Sequence, residues 1–287
     1  FSQDVSISSI RLTINKWIYN EFIKTQNLIS KNIEVFRFDE AAKHAYQFVW
    51  HSYCDWYLEF LKPIFNSKKN SEIKEAKMFS SFMMVNILKI LHPFIPFLTE
   101  TLWIENKYKR IFKTDLITSS WPNQNIFKKF NKDQDEINKI IDVISSIRST
   151  KSELKITPKL YCDISFSDNK GNLIKLIKKN LILIKQVARV NELFVRDIQN
   201  KNTIDILVLN EKISLTFSED VDLLSQKQRI LEKLKNLEKQ INGLNIKLKN
   251  KAFIKNAPKE IVKNDKKLVK ELIVEDEKLR SIVSSIN

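Results

Sequence analysis

Glycine is almost absent from this chain, and its scarcity removes several common kinds of binding site. Only two glycines, Gly171 and Gly243, occur among 287 residues. A Walker loop, a dinucleotide-binding turn and an esterase nucleophile elbow each need glycines at fixed spacing. Neither glycine has the neighbours that these motifs require. The sequence therefore excludes these types of phosphate-binding loop and nucleophile turn.

The first half of the chain has the apolar spacing of a helical bundle. Four helices are predicted, over residues 10–31, 39–62, 71–91 and 132–155. We expect Asp39 to cap the second helix and Pro63 to interrupt it. Pro93 and Pro96 predict a kink or a restart after the third helix, and residues 107–131 read as a loop.

After Pro158 the pattern changes to that of a small α+β unit. The stretch LYCDISF, residues 160–166, alternates as a strand does, and NLIKLIKKNLILIKQV, residues 172–187, has helical spacing. Two further strands, Thr203–Leu209 and Lys212–Phe217, are predicted to form a hairpin around Asn210 and Glu211.

The last part of the chain has a heptad pattern that predicts two helices packed along one seam. On the first helix the seam comprises Leu223, Ile230, Leu234, Leu237, Ile241, Leu244 and Leu248. On the second it comprises Val262, Val269, Leu272, Leu279, Val283 and Ile286. Lys227, Asp265 and Asp276 are charged residues in seam positions, and residues 251–259 separate the helices. Since such an arm has no core beyond its seam, we expect it to be the mobile part of the protein.

The predicted fold is therefore mostly α. It consists of a helical bundle over residues 1–157, a small α+β connector over residues 158–219, and a C-terminal antiparallel two-helix coiled-coil arm over residues 220–287.

The charge of the chain points to a polyanionic partner. The formal net charge is +15, and lysines outnumber acidic residues along the arm between Lys233 and Lys270. Basic stripes on long rigid helices suit a phosphate backbone better than a small substrate. The alternative is that these lysines are solvated or paired within their own helix.

An aromatic-rich segment in the second predicted helix suggests RNA in particular. Its aromatic residues are Tyr46, Phe48, Trp50, Tyr53, Trp56, Tyr57 and Phe60. They point in all directions around a helix, so they cannot all be core. We expect most to be buried and one or two to be exposed, where they can stack on unpaired bases.

Other kinds of site find little support in the sequence. His44, His51 and Cys54 lie at spacings that do not converge on one metal ion in a straight helix. No motif places a hydrolytic triad.

Cys54 and Cys162 form no disulfide pattern, which fits a reducing cytoplasm. No apolar run approaches the roughly 18 residues of a membrane span, and no signal peptide is recognisable. The start at Phe1 is compatible with a fragment and with a free-standing product.

Four stretches resemble one protein family. These are FDEAAKHAYQFVWHSYCDWYLEFLKP (38–63), LKILHPFIPFLTETLW (88–103), IRSTKSELKITP (147–158) and KAFIKNAPKEIV (251–262). They resemble the C-terminal part of valyl-tRNA synthetase, a class I valine–tRNA ligase, with its anticodon-binding domain, connector and tRNA-binding coiled-coil arm. The isoleucine enzyme is a poorer match, because its C-terminal zinc module would need clustered cysteines that are absent here.

The resemblance implies a function for the parent enzyme: ATP-dependent activation of valine, its transfer to tRNA(Val), and editing of mischarged product. ATP and Mg²⁺ would serve the upstream catalytic domain of the same polypeptide, and this chain would carry no cofactor and would be inactive alone. The stretch RSTKS, Arg148–Ser152, resembles the family's KMSKS loop, but it continues a helical pattern and reads as structural. The other reading is a free-standing RNA-binding or scaffold protein derived from a synthetase.

We therefore expect tRNA(Val) as the partner of a monomeric, cytoplasmic protein without membrane contact. No catalytic residue and no metal ligand is predicted. The candidate RNA-binding residues are Arg37, Lys43, Lys235, Lys239, Lys247, Lys249, Lys251 and Lys255.

Overall fold

The computed structural model describes residues 7–122, 130–168, 170–196, 202–218, 221–250 and 258–286. The chain forms two compact units, Phe1–Ile141 and Asp142–Asn287. The first is built from helices and the second combines helices with one four-stranded sheet. The predicted class, mostly α with a small α+β part and a C-terminal helix pair, is confirmed.

Helices make up the first unit. They are α1 (Thr13–Glu34), α2 (Phe38–Gln47), a π-helical stretch (Phe48–Tyr57), α3 (Leu58–Phe65), α4 (Asn70–Leu91), α5 (Pro96–Glu105), α6 (Tyr108–Phe112) and the start of α7 (Asn131–Glu153), with short 3₁₀ helices at Ile7–Ser9 and Leu116–Thr118. The four predicted helices are all present, with ends shifted by a few residues. The predicted loop over 107–131 is only partly right, because α6 and a 3₁₀ turn lie within it, and residues 123–129 are outside the described part of the chain.

The start of α1 is held by a side chain from another helix. Leu12, which precedes α1, has no capping group of its own. The Glu75 carboxylate of α4 accepts hydrogen bonds from the backbone N–H groups of Arg11 (3.1 Å) and Leu12 (2.9 Å) and from Asn15 Nδ2 (3.0 Å). The buried Tyr57 hydroxyl donates to Asn15 Oδ1 at 2.8 Å. Together these bonds satisfy the first amides of α1 and tie three helices together.

Two predictions about the second helix are wrong. Arg37, rather than Asp39, occupies the N-cap position, and Asp39 lies in the first turn, where it pairs with the Arg37 side chain. Pro63 does not end the helix, which continues to Phe65. Pro63 lies close to the end of α3, so the backbone hydrogen bond that it removes affects only the final turn.

The aromatic segment of this helix is wound as a π-helix, with more residues per turn than an α-helix. Its buried residues, Phe48, Tyr53 and Tyr57, are spaced by five and four. Because of this wider spacing, aromatic rings that would point away from the core in a straight α-helix point toward it. The π winding thus explains how one face can bury so many of the rings.

A separate cluster surrounds α5 in the same unit. Pro96 begins α5, so the restart predicted after the third helix is confirmed. Trp103 is fully buried among Val85, Leu88, Tyr108 and Leu116. Its indole Nε1 donates to the Thr114 carbonyl at 3.0 Å, which satisfies the polar atom of a buried ring.

The second unit contains the C-terminal part of α7, then β1 (Cys162–Phe166), α8 (Asn172–Lys179), α9 (Leu181–Ala188), β2 (Val190–Val195), β3 (Thr203–Val208) and β4 (Glu211–Thr216). The sheet order is β2-β1-β4-β3, with β1 and β2 parallel and the other pairs antiparallel.

The single predicted helix over 172–187 is divided at Asn180. The strand β2 was not predicted. The hairpin turn lies at Leu209 and Asn210, one residue earlier than expected, and both have positive φ, as a two-residue I′ turn needs.

The arm consists of α10 (Leu223–Lys249) and α11 (Lys259–Ser285), which pack along each other. The seam residues Leu223, Ile230, Leu234 and Leu237 of α10 are buried, as are Val269 and Leu279 of α11 and Ile286 just after it. Charged seam residues are paired. The Asp265 carboxylate accepts from Lys247 at 2.7 Å, and Asp276 pairs with Arg280 at 2.6 Å.

The expectation that the arm has no core beyond its seam is wrong at its base. The Glu153 carboxylate of α7 pairs with Lys233 of α10 (3.8 Å) and Lys278 of α11 (3.6 Å). Ile286 forms an antiparallel bridge with Ile204 of β3. The base of the arm therefore shares the core of the second unit.

No helix within the described part of the chain is both long enough and apolar enough to cross a lipid bilayer.

Candidate nucleic-acid interface

The two candidate cations of the first unit lie at the start of α2 and are neutralised locally. Arg37 Nε is 3.1 Å from Asp39 Oδ1, and its Nη2 is 3.7 Å from Glu40 Oε1. Lys43 Nζ is 3.3 Å from the same Glu40 carboxylate. The hydrogen bond from Arg37 lowers the pKa of the Asp39 carboxyl and raises the pKa of the guanidinium. Two cations facing two carboxylates leave this corner without excess positive charge.

The structure separates the aromatic residues of this segment into buried and exposed rings. Phe48, Tyr53, Tyr57 and Phe60 are buried, and Trp56 is half-buried against Phe60. Tyr46 and Trp50 are exposed by 60% and 53%. Their rings stack nearly parallel, at an angle of 4° and a centroid distance of 6.3 Å. The expectation of a mostly buried set with one or two exposed rings is thus confirmed, whereas stacking on bases stays a prediction.

The candidate lysines of the arm differ in their surroundings. Lys235 and Lys239 are exposed one turn apart on α10, and Lys249 is exposed in its last turn. None of these three forms a salt bridge with another described residue. Lys247 instead pairs with Asp265 across the seam at 2.7 Å.

Lys251 and Lys255 lie outside the described residues. Among the candidate residues in the described part of α10, Lys235, Lys239 and Lys249 are thus the ones that form no salt bridge with a described carboxylate.

Gly243 lies in the middle of α10, between these lysines. A Cβ added at this position would meet no atom of another described part of the chain within 4 Å. Glycine inside an exposed helix costs about 0.5–1 kcal/mol relative to alanine. Packing within the chain gives no reason for that cost. The helix surface at Gly243 is consequently not covered by any residue that the structure describes.

The segment Arg148–Ser152 is part of the framework of the second unit. It lies in α7, as predicted. Arg148 Nη2 donates to the Val187 carbonyl at 2.8 Å. Lys151, which is only 2% exposed, donates from Nζ to the carbonyls of Leu160 (2.8 Å), Ala188 (2.9 Å) and Arg189 (3.2 Å). Burial lowers the pKa of this ammonium group. These side chains are engaged by backbone carbonyls and are not presented to a nucleotide.

His51 of the aromatic segment lies on the surface beside a carboxylate. His51 Nδ1 is 3.3 Å from Asp55 Oδ2 on the surface. Within the described ranges, no group of three His, Cys, Asp or Glu side chains is arranged to hold a metal ion.

Two segments of the chain match family models of tRNA ligases. Residues 15–166 match the family model described as the anticodon-binding domain of tRNA ligase. The chain belongs to this family. Residues 222–287, which include both helices of the arm, match the model described as the valyl tRNA synthetase tRNA binding arm. The resemblance to valyl-tRNA synthetase inferred from the sequence is confirmed by these two matches.

The relatives agree with the family models. The chain is 38% identical to the valine–tRNA ligase of Pelagibacter ubique over 90% of its own length. It is 30% identical to that of Agrobacterium fabrum and 31% identical to that of Rhizobium meliloti, over 96% of its length in both cases. The matched region is 29% of each relative. Most of the length of these ligases thus lies outside the match.

Proposed function

We propose that this chain is the C-terminal tRNA-binding portion of a valine–tRNA ligase. In this role it holds tRNA(Val) while a catalytic domain, upstream in the same polypeptide, performs ATP-dependent aminoacylation. The observation that carries the proposal is the presence of an anticodon-binding domain and a valyl-type tRNA-binding arm in one chain. Three functional parts are proposed: a bundle (1–157), a connector (158–219) and an arm (220–287).

The arm is proposed to contact tRNA phosphates. Lys235, Lys239 and Lys249 are exposed and have no carboxylate partner among the described residues, so their charge is free to attract a polyanion. Such contacts add affinity without reading bases, because lysines sense charge and shape. The glycine surface at Gly243 allows an RNA backbone to approach α10 closely.

The bundle is proposed to contribute the specific contacts. Tyr46 and Trp50 form an exposed stacked pair on which unpaired bases can stack. Arg37 and Lys43 remain candidates, but their pairing with Asp39 and Glu40 means that RNA would have to displace those carboxylates. We rank them below the lysines of the arm.

The chain is proposed to be monomeric, cytoplasmic and inactive by itself. The described residues include no metal-binding group, and neither family match is to a catalytic domain. We therefore expect no valine-dependent pyrophosphate exchange by the purified chain.

Binding to two tRNA transcripts tests the proposal. One is tRNA(Val), and the other is the same tRNA with its anticodon replaced. We expect the chain to bind tRNA(Val) more tightly, and to retain part of its affinity for the second transcript through the arm. Equal affinity for both would favour the second candidate function, a general RNA-binding protein derived from a synthetase.

A further inference from the structure

One face of the four-stranded sheet in the second unit is polar and partly open to solvent. The strand register aligns one residue from each strand in a row across this face: Phe194, Ser165, Ser214 and Asp205. Asp163 and Thr216 lie opposite each other in the next row. We call the surface formed by these six residues the polar face.

Burial separates the polar face from the other side of the sheet. The side chains of the opposite face are apolar and at most 7% exposed: Ile164, Ile204, Ile206, Ile213 and Leu215. On the polar face, Asp163, Asp205, Ser214 and Thr216 are half-buried. Ser165, a small residue of a central strand, is its buried member. The core of the second unit therefore lies on the opposite face.

Two pairs of an aromatic ring and an arginine lie on the β1–β2 side of the sheet. The guanidinium carbon of Arg189 is 5.8 Å from the ring centroid of Tyr161, and Arg189 Nη1 donates to the Tyr161 hydroxyl at 3.2 Å. The guanidinium carbon of Arg196 is 5.2 Å from the ring centroid of Phe194. Tyr161 is 50% exposed, and Phe194 is half-buried.

Both pairs lie on the side of the polar face. Phe194 belongs to its first row. Tyr161 directly precedes β1, and the β1–β2 ladder reaches this point, because the Cys162 N–H donates to the Arg189 carbonyl at 3.1 Å. Side chains four residues apart along a strand point to the same side, so Tyr161 lies on the side of Ser165, about 13 Å away along the strand.

The acidic side chains of the polar face are engaged within the sheet. The Asp205 carboxylate pairs with Lys212 at 2.6 Å. The Asp163 carboxylate accepts a hydrogen bond from the backbone N–H of Glu192 at 2.9 Å. Neither arginine of the two aromatic pairs forms a salt bridge with a described carboxylate. Their charge is thus available to an anionic ligand.

The chemistry of this surface favours RNA over a protein. The centre of a protein interface is apolar and contains few charged residues, whereas the first row of the polar face has Ser165, Ser214 and Asp205 at its centre. Aromatic rings and guanidinium planes stack on unpaired bases, and arginine also pairs with phosphates. Four-stranded sheets that present aromatic rings on an open face bind single-stranded RNA in this way.

We propose that the polar face binds an unpaired segment of tRNA. In this complex Tyr161 and Phe194 stack on bases, and Arg189 and Arg196 contact phosphates. The inference rests on the proposed function, because the RNA is the tRNA that the chain holds. It adds a contact in the connector to those proposed for the bundle and the arm.

Photo-cross-linking of RNA to the whole chain tests the site. Three probes carry 4-thiouridine: a tRNA(Val) transcript, a short single-stranded oligouridylate, and a double-stranded RNA of the same length. Mass spectrometry identifies the cross-linked residues. We expect the first two probes to cross-link to Tyr161 or Phe194 and the duplex to leave both unmodified. If tRNA(Val) forms cross-links that avoid both residues, the proposal is overturned.

A ring substitution tests stacking without relying on cross-links. Tyr161→Leu keeps an apolar side chain but loses the ring, and should weaken oligouridylate binding by about five-fold or more. Tyr161→Phe keeps the ring and should restore most of the affinity. Ile182→Ala, at a 69% exposed apolar residue of α9, is the control. Because Tyr161 lies at the surface, these variants should fold, which thermal unfolding checks. Equal affinity of Tyr161→Leu and the wild-type chain would show that no base stacks there.

The arginines are tested by salt dependence. Arg196→Gln should reduce the slope of log affinity for oligouridylate against log salt by about 0.7, the value for one phosphate contact with a single strand. Lys175→Gln, at an exposed position of α8, should leave the slope unchanged. An unchanged slope for Arg196→Gln would remove Arg196 from the phosphate contacts.

Titration with tRNA(Val) separates this inference from the proposed function. If the chain binds no tRNA(Val), the proposed function fails, whatever the oligouridylate does. If tRNA(Val) binds and neither Tyr161 nor Phe194 is cross-linked, only the inference about the polar face fails. Sedimentation of the chain without RNA covers the remaining occupant: a dimer that Tyr161→Leu abolishes would make the face a contact between two copies and would overturn the proposal.

Discussion

Lys151 and Ala188 are joined by a 2.9 Å hydrogen bond from the lysine ammonium group to the backbone carbonyl at the end of helix α9. The same ammonium also donates to the carbonyls of Leu160 and Arg189. A buried cation placed at the C-terminus of a helix satisfies carbonyls that the helix leaves free. Lys151 belongs to the RSTKS stretch, which resembles the family's KMSKS loop. Its hydrogen bonds join α7 to the sheet layer of the second unit.

Replacing Lys151 should therefore destabilise the second unit. Lys151→Met keeps the length of the side chain but leaves three carbonyls without their donor, which should lower the free energy of unfolding by about 2–4 kcal/mol. Urea unfolding followed by circular dichroism measures the loss. Lys132→Met, on the exposed surface of the same helix, is the control and should change stability by less than about 0.5 kcal/mol. Equal effects of the two changes would refute the structural role.

Alkaline pH should destabilise the first unit through Tyr53. Burial raises the pKa of this phenol from 10.0 to about 12. The unfolded chain therefore loses the proton first, and the stability contributed by the neutral phenol is present below pH 10 and is lost as the pH rises through 12. A shift of this size corresponds to about 2–3 kcal/mol.

Tyr53→Phe removes the titrating group and provides the comparison. Urea unfolding of both proteins below pH 10 and near pH 12 gives the pH-dependent difference. We expect the wild-type protein to lose more stability across this interval than the variant does. Parallel losses would mean that the Tyr53 hydroxyl is not buried as described.

Trp50 and Trp103 should respond in opposite ways to truncation. Trp50→Ala removes an exposed ring stacked on Tyr46. It should leave stability nearly unchanged and weaken tRNA binding by about 1–3 kcal/mol, which is the usual value of a base–aromatic stack. Trp103→Ala removes a fully buried ring and should cost about 3–5 kcal/mol of stability. Thermal unfolding of both variants measures the loss of stability, and tRNA titration measures the loss of affinity. Unaltered tRNA binding by Trp50→Ala would show that Trp50 is not part of the interface.

Gly243 offers a test of close approach by RNA. Gly243→Ala should stabilise α10 by about 0.5–1 kcal/mol, since alanine favours the helix and its methyl group would touch no described residue. Gly243→Leu should leave the fold intact and weaken tRNA binding, because the larger side chain keeps the RNA away from the helix. Gln240→Leu, at another exposed position of α10, is the control. Full tRNA affinity of Gly243→Leu would show that RNA does not approach here.

The sequence predicts those parts of the fold that depend on local pattern. The heptad seam from Leu223 to Leu237 and the helix around Lys151 follow from apolar spacing alone. The π winding at Phe48–Tyr57 does not, because it depends on how the aromatic rings pack against other helices. The strand β2 was not predicted, because its residues, VNELFV, lack a clear strand pattern of side chains. They pair with β1 through backbone hydrogen bonds, which the sequence does not show.

The sequence predicts which residue types the candidate site contains, but not which of them pair with each other. Lysine excess along α10 is visible in the sequence, yet the pairing of Lys247 with Asp265 depends on the antiparallel register of the arm. Likewise, the neutralisation of Arg37 by Asp39 depends on where α2 begins. The packing of Ile286 against Ile204 joins residues far apart in the chain, and only the fold brings them together.

The salt dependence of tRNA(Val) binding tests the central claim most directly. The chain is compared with a triple variant, Lys235→Gln, Lys239→Gln and Lys249→Gln. A control variant carries the same change at Lys62, Lys139 and Lys185, which pair with carboxylates elsewhere on the surface. Affinity is measured at several salt concentrations. Each lost phosphate contact should reduce the slope of log affinity against log salt by about 0.7–0.9, so the arm variant should give a clearly shallower slope and the control should not. Identical slopes for the wild-type chain and the arm variant would contradict the assignment of the arm as a tRNA-binding surface.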